Sequence, residues 1–102
     1  MNHIYLVMYD ITNTRKRNKA ALLLQRFGYE RIQLSVFTGL QPPQANAKLW
    51  TELQQLLNIQ GNPADKLLCI AVSKSCFANM QTIGAINADI DYLLGRRHTL
   101  FF

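Results

Sequence analysis

Apolar residues fill both alternating faces of the first stretch of the chain, His3–Tyr9 (HIYLVMY). Successive side chains of a strand point to opposite faces, so a strand that is apolar on both sides is covered on both sides. The stretch therefore predicts a central β-strand. One of its faces carries Ile4, Leu6 and Met8, and the other carries Tyr5, Val7 and Tyr9.

The spacing becomes helical after a turn at residues 10–14, in which Thr12, Asn13 and Thr14 are all N-cap candidates. From Arg15 onward, apolar residues recur at the i, i+3, i+4 and i+7 positions that form one helix face. Gly28 then stands where a left-handed C-terminal cap belongs. The pattern predicts a first helix whose buried stripe is Ala20, Leu23, Leu24 and Phe27.

Two short strands and a second helix are predicted next. Residues 29–40 alternate as a strand does, and we place a reversal near Gln33–Ser35, although no Gly or Pro marks a turn there. Pro42 and Pro43 open the second helix, and Trp50 is predicted to pack at its side. The buried stripe of this helix is predicted to be Ala45, Leu49, Leu53, Leu56 and Leu57.

The last predicted elements are a strand at Lys66–Ser73, apolar on both faces, and a short terminal strand at His98–Phe102. The order β-α-β-β-α-β is that of the α+β, ferredoxin-like split βαβ fold with an antiparallel sheet. We predict one domain over residues 1–102, with a core of 1–73 and a tail of 74–102. Since both helices lie on one sheet face, a two-fold partner is the economical cover for the other face.

Positive charge is concentrated at the beginning of the chain. The formal net charge is +5, and residues 1–31 contain six Lys and Arg against Asp10 and Glu30. Such a cluster attracts polyanions by counterion release, or it is simply a solvated helix face. Charge alone leaves both interpretations open.

The remaining composition favours a cytoplasmic protein. Cys69 and Cys76 are too few and too irregularly spaced for a disulfide framework or a zinc site, so we predict buried free thiols. The chain shows neither a signal-peptide pattern nor an apolar run of about 18 residues that would span a membrane.

Two signatures resemble the family of CRISPR-associated protein two. The first, YLVMYDITNTRKRNK, has a strand that ends in a tyrosine-aspartate pair, here Tyr9-Asp10, and then a basic helix. The second, FGYERIQLSVFTG, contains the pattern R-[VI]-Q-x-S-V-F, here Arg31–Phe37. The resemblance covers residues 4–73, and the tail is similar in kind but less diagnostic.

This resemblance implies a ferredoxin-like homodimer whose terminal strand extends the partner's sheet. It implies that Asp10 of each protomer shares one divalent ion per dimer, for which Mg²⁺ suits the carboxylate oxygens. Family members have been assigned metal-dependent endonuclease activity on RNA or DNA, and they bridge integrase dimers on foreign DNA during spacer acquisition. The implied partners are thus a second copy, the integrase, and double-stranded DNA or RNA, without a membrane.

Each site residue also has an alternative role. Asp10 is either the catalytic metal ligand or a turn-forming residue at a strand end. Ser35 either bonds to Asp10 or a metal-bound water, or satisfies backbone at a dimer seam. Phe37 either stacks on a base or packs in an interface. Neither His3 nor His98 is assigned as a general base, since His3 lies about 20 Å along the strand from Asp10.

The basic residues are the predicted phosphate contacts, and no residue pattern indicates reading of base edges. These contacts are Arg15, Arg17, Lys19, Arg31, Arg96 and Arg97, of which the last two alternatively bind the integrase. Three functions remain open: a metal-dependent nuclease at Asp10, a DNA-binding scaffold without catalysis, and a toxin-like ribonuclease. The scarcity of acidic residues in the first half of the chain argues against a dedicated two-metal cage.

Overall fold

The computed structural model describes residues 3–57 and 63–84. Its sheet has four antiparallel strands in the order β2-β3-β1-β4, which places β1 between β3 and β4. The predicted β-α-β-β-α-β order and the α+β fold class are confirmed. The elements are β1 His3–Asp10, α1 Thr14–Arg26, β2 Glu30–Gln33, β3 Val36–Gly39, α2 Ala47–Leu56, β4 Lys66–Ser73 and α3 Lys74–Ala78.

One face of the sheet forms the main core under α1 and α2. Val7 and Tyr9 of β1 point to this face, as does Phe37, which pairs directly with Val7. The helices contribute the predicted stripes, including Leu24 and Leu53. Gly28 has a φ of 94°, so it is the left-handed residue that ends α1, as predicted.

The opposite face of the sheet is only partly covered. At one end, Ile4 and Ile32 pack with Phe77 of α3, a helix at the beginning of the predicted tail. Farther along β4, Leu68 is 55% exposed and Ile70 is 48% exposed. The face is apolar as predicted, but a helix of the same chain covers part of it.

Two further predictions need correction. The second helix begins at Ala47 rather than at Pro42, because Pro43–Ala45 form a 3₁₀ turn and Asn46 caps the helix by accepting a bond from the Leu49 N–H (3.1 Å). Ala45 is consequently exposed and does not join the buried stripe.

The two cysteines are also placed differently from the prediction. Cys69 and Cys76 are free thiols, but both are exposed rather than buried. Cys69 faces the helix side of β4, and the packing there is still sufficient to raise the pKa of its thiol by desolvation. A thiol with a raised pKa is a poor nucleophile near neutral pH, so Cys69 is not an activated cysteine.

The predicted terminal strand His98–Phe102 and the tail cations Arg96 and Arg97 lie outside the described residues. In residues 3–57 and 63–84, no helix has the length and apolarity that crossing a membrane requires.

Candidate nucleic-acid and metal site

Asp10 is the last residue of β1, and its side chain is 79% exposed. Its cross-strand neighbour on β4 is Lys66, whose Nζ atom lies 3.7 Å from the Asp10 Oδ2 atom. An ion pair as exposed as this one stabilises a fold by at most about 1 kcal/mol. The carboxylate therefore projects into solvent at the end of the sheet and is available to a ligand.

Side chains from two other elements fix the loop that follows Asp10. The Asp65 Oδ1 atom accepts bonds from the Thr12 N–H (3.0 Å) and the Thr12 hydroxyl (3.2 Å). Arg17 donates from Nη1 to the carbonyl oxygens of Ile11 (3.1 Å) and Thr12 (3.2 Å). Its Nη2 atom donates to the Thr14 hydroxyl (3.0 Å). Arg17 thus uses much of its hydrogen-bonding capacity to stabilise the loop. The sequence analysis did not predict this role.

Residues of both signatures hold the β2–β3 turn against the end of β1. The Tyr9 N–H donates to the Ser35 carbonyl (3.1 Å), and the Tyr9 hydroxyl donates to the Leu34 carbonyl (3.3 Å). Arg31 donates from Nη2 to the same Leu34 carbonyl (3.1 Å). The reversal near Gln33–Ser35 is therefore confirmed, and side chains stabilise it in place of a turn glycine.

Phe37 has neither of its two predicted roles. Its side chain is 0% exposed in the core of this protomer, so it can neither stack on a base nor lie at a dimer surface. Its ring is stacked against Tyr9, with 6.1 Å between centroids, and the Arg31 guanidinium carbon lies 5.2 Å from its centroid. Phe37 consequently supports Arg31 from below, while the Nε atom of Arg31 is buried without a hydrogen-bond partner.

These groups surround one cavity of about 420 Å³. Five predicted site residues meet there although they come from β1, α1 and the β2–β3 hairpin, and one carboxylate lies among two guanidinium groups. Residues of both signatures thus line one cavity. It is lined by Tyr9, Asp10, Ile11, Arg17, Asn18, Arg31, Leu34 and Ser35.

Arg15 and Lys19 do not join this cavity. Both are exposed, and Lys19 lines a separate groove between α1 and α2 together with Arg26 and Glu52. The spacing of Arg15, Lys19 and Arg26 places them along one edge of α1. The predicted cations therefore form two groups: Arg17 and Arg31 beside Asp10, and a row on the outer edge of the helix.

The oxygen ligands available in this cavity would supply one half of a magnesium site, and a second copy of the chain would supply the other half. Within the described residues no group of three or more His, Cys, Asp and Glu could hold a metal. Asp10 is the acidic residue of the cavity, and Ser35 adds a second hard oxygen. Mg²⁺ keeps several waters and often takes only one or two protein carboxylates, so a single Asp10 suits a site that a second copy completes.

Asp65 and Lys66 are the site residues that the sequence analysis missed. Asp65 is 7% exposed, and its position immediately before a strand resembled an ordinary loop residue. A possible signal was the adjacent pair of opposite charges in front of an apolar strand. Asp65 contacts Thr12, which lies 53 positions away in the chain, so only the folded structure shows this contact.

Comparison with known proteins identifies the family of this chain. A model of the family described as "CRISPR associated protein Cas2" matches residues 2–80. The chain is 33% identical over 75 residues to the CRISPR-associated endoribonuclease Cas2 1 of Methanospirillum hungatei, a match that covers 70% of this chain and 72% of that protein. A shorter match to an endoribonuclease Cas2 of Pyrobaculum aerophilum has 56% identity over 34 residues, which is 33% of this chain and 37% of that protein.

Solved structures have the same fold. A hypothetical protein, TT1823, from Thermus thermophilus is 28% identical, with a TM-score of 0.65 over 86% of this chain and 98% of its own. Streptococcus pyogenes Cas2 is 24% identical, with a TM-score of 0.62 over 79% of this chain and 99% of its own. From the family match over residues 2–80, and from the meeting of both signatures around one cavity, this chain belongs to the CRISPR-associated protein Cas2 family.

Proposed function

We propose that this protein is a homodimeric subunit of CRISPR adaptation that binds nucleic acid, bridges the integrase, and has a magnesium-dependent endonuclease site at Asp10. The observation that carries the proposal is the position of the exposed Asp10 carboxylate in a cavity with Arg17 and Arg31. Cations beside a carboxylate suit a phosphodiester, whose charge they attract while the carboxylate serves a metal. The relatives named endoribonucleases support the nuclease part.

A two-fold partner would complete the site. The apolar sheet face with Leu68 and Ile70 is the surface that we assign to the second copy, because sheet faces of this kind are stable only when covered. Each protomer then contributes one Asp10 to one Mg²⁺ per dimer. When bound, the ion would neutralise charge on the phosphate and lower the pKa of a water.

The residues of this chain bind and orient the substrate. Arg31 is fixed by Phe37 and by the Leu34 carbonyl, so its guanidinium is held ready for a phosphate oxygen. Ser35 presents its hydroxyl at the same cavity. Among the residues that the structure describes, no histidine lines the cavity, and His3 lies at the opposite end of β1. The described residues of the cavity would thus supply electrostatic stabilisation and positioning.

A non-catalytic scaffold is the second candidate. It is favoured by the single carboxylate of the cavity and by the row of cations on α1 that lies outside the cavity. One structure with the same fold belongs to a partial Cas6-RT-Cas1–Cas2 complex, with a TM-score of 0.63 and 22% identity. A bridging role with the integrase is compatible with either candidate, and replacing Asp10 separates the two.

The row of cations on the outer edge of α1, Arg15, Lys19 and Arg26, leads to a prediction about the salt dependence of DNA binding. Replacing Arg15 and Lys19 together by Ala removes four charges from a dimer. We expect the slope of log K against log salt to flatten by up to about 3.6, because each phosphate contact contributes about 0.9. The loss of affinity should be similar for unrelated sequences, since phosphate contacts carry no base information. Binding isotherms at several salt concentrations measure the slope.

Lys48→Ala provides the control, because Lys48 is an exposed cation on α2. It should leave the slope nearly unchanged. If the double variant also keeps the wild-type slope, the track lies elsewhere, around Arg17 and Arg31. A loss restricted to one DNA sequence would contradict the phosphate interpretation.

Removing the charge of Lys66 is expected to strengthen metal binding at Asp10. Its ammonium competes with a metal ion for the Asp10 Oδ2 atom, from which it is 3.7 Å away. An exposed ion pair is worth about 0.2–1 kcal/mol, so Lys66→Gln should tighten Mn²⁺ binding by up to about fivefold. Calorimetric titration with Mn²⁺ measures this change. Lys48→Gln makes the same change in charge outside the cavity and should have little effect; equal gains in both variants would rule out a local competition.

A further inference from the structure

We infer that Asp65 is a positioning residue, which holds the loop after Asp10 and thereby fixes the direction of the Asp10 carboxylate. It is a carboxylate that is 7% exposed and lies just before β4. Burying a carboxylate is costly unless hydrogen bonds replace its water. Within the part of the chain that the structure describes, Asp65 accepts two bonds, both from Thr12, two positions after Asp10.

The bonds of Asp65 satisfy backbone that no strand or helix satisfies. β1 ends at Asp10 and α1 begins at Thr14, so Thr12 lies between the two elements. Its N–H donates to Asp65, and its carbonyl accepts from Arg17. Thr12 itself is exposed, and both its backbone N–H and its carbonyl take side-chain partners in place of a ladder or a helix. Asp65 and Arg17 therefore hold the loop from opposite sides.

Asp65 is also adjacent to the residue that pairs with Asp10. Lys66 is the cross-strand partner of Asp10, and its ammonium approaches the Asp10 carboxylate. Two consecutive residues at the start of β4 thus contact neighbouring parts of the chain: Lys66, the first residue of the strand, contacts the side chain of Asp10, and Asp65, just before the strand, contacts the loop after Asp10. An error of about 1 Å in the placement of a reacting group can cost about 100-fold in rate. The contacts of Asp65 and Lys66 are consequently sufficient to control the rate of catalysis.

The catalytic consequence rests on the proposed nuclease function, whereas the effect on the loop does not. Asp65→Ala removes both bonds, and Asp65→Asn keeps an oxygen that can accept them. We expect kcat for cleavage of a generic RNA with Mn²⁺ to fall by about 10- to 100-fold in Asp65→Ala, with KM changed by less than about threefold. Asp65→Asn should restore most of kcat. A role in overall stability alone would not give this split.

Amide hydrogen exchange tests the loop directly. The Thr12 amide should exchange at least about tenfold faster in Asp65→Ala than in the wild type, because its acceptor is lost, while the buried Leu24 amide reports global stability. If Asp65→Ala does not fold, Thr12→Val removes only the hydroxyl bond, and Thr12 exchange and kcat should then change in the same direction but less.

The possible results separate the inference from the proposed function. If the wild type does not cleave RNA or DNA, the nuclease proposal fails, and Thr12 exchange alone decides the role of Asp65. Unchanged Thr12 exchange in a folded Asp65→Ala protein overturns the inference. So does wild-type kcat in that variant, or an Asp65→Asn protein as impaired as Asp65→Ala, since charge and not hydrogen bonding would then be responsible.

Discussion

Replacing Asp10 by Asn is expected to abolish metal-dependent cleavage while the fold and the binding of duplex DNA remain nearly intact. The amide has the size of the carboxylate but no charge, and Asp10 is the acidic group in the cavity formed by the two signatures. Its side chain is 79% exposed and makes only a surface ion pair, so the free energy of unfolding should change by at most about 1 kcal/mol. Activity should fall at least about 100-fold.

Glu52→Gln is the matched control for this experiment. Glu52 is an acidic residue of the groove between α1 and α2, outside the Asp10 cavity, and its neutralisation makes the same change in net charge. It should leave cleavage unchanged. Cleavage by Asp10→Asn at the wild-type rate would place the nuclease activity elsewhere. If spacer acquisition in cells survives the loss of cleavage, the protein acts there as a scaffold.

Introducing a charge on the open sheet face is expected to convert the proposed dimer into a monomer. Leu68 pairs with Met8 of β1, so both lie on the face opposite to the helices, where Leu68 is 55% exposed. If a second copy covers this face, Leu68→Glu buries an unpaired carboxylate at a cost of several kcal/mol. The dimer dissociation constant should rise by at least about 100-fold, and sedimentation velocity over a range of concentrations measures it.

Leu22→Glu makes the same substitution on another surface. Leu22 lies on α1 and is 60% exposed, which closely matches Leu68. This variant should retain the wild-type dissociation constant. A dimer that tolerates Leu68→Glu as well as Leu22→Glu would locate the interface elsewhere. A monomeric Leu68→Glu protein should also lose cleavage, because each protomer contributes only one Asp10 to the proposed site.

Local patterns of the sequence determine the elements of this protein. The bounds of β4 were predicted as Lys66–Ser73 because a run that is apolar on both faces ends where polar residues begin. The end of α1 followed from Gly28, whose left-handed conformation glycine adopts without steric cost. The α+β order and the two signatures were equally local, and they sufficed to identify the family.

The short helix α3 and the true start of α2 were not predictable in this way. α3 has only five residues, so it shows less than two turns of periodicity. Its stability comes from Phe77 packing on Ile4 and Ile32, which are distant in the chain. At α2, the two prolines predicted a start at Pro42, whereas in the structure Asn46 caps the helix by accepting a hydrogen bond from the Leu49 N–H.

One part of the candidate site could be predicted from the sequence, and the other part depends on the tertiary structure. The sequence determined which residues of the signatures carry charge, and it placed Asp10 at the end of a strand. Only the tertiary structure decided that Arg31 and Asp10 line one cavity while Lys19 lines a different groove, that Phe37 is buried beneath Arg31, and that Asp65 bonds to Thr12. The physical reason is that periodicity reports which face of an element is buried, whereas hydrogen bonds between residues far apart in sequence depend on how the elements pack against one another.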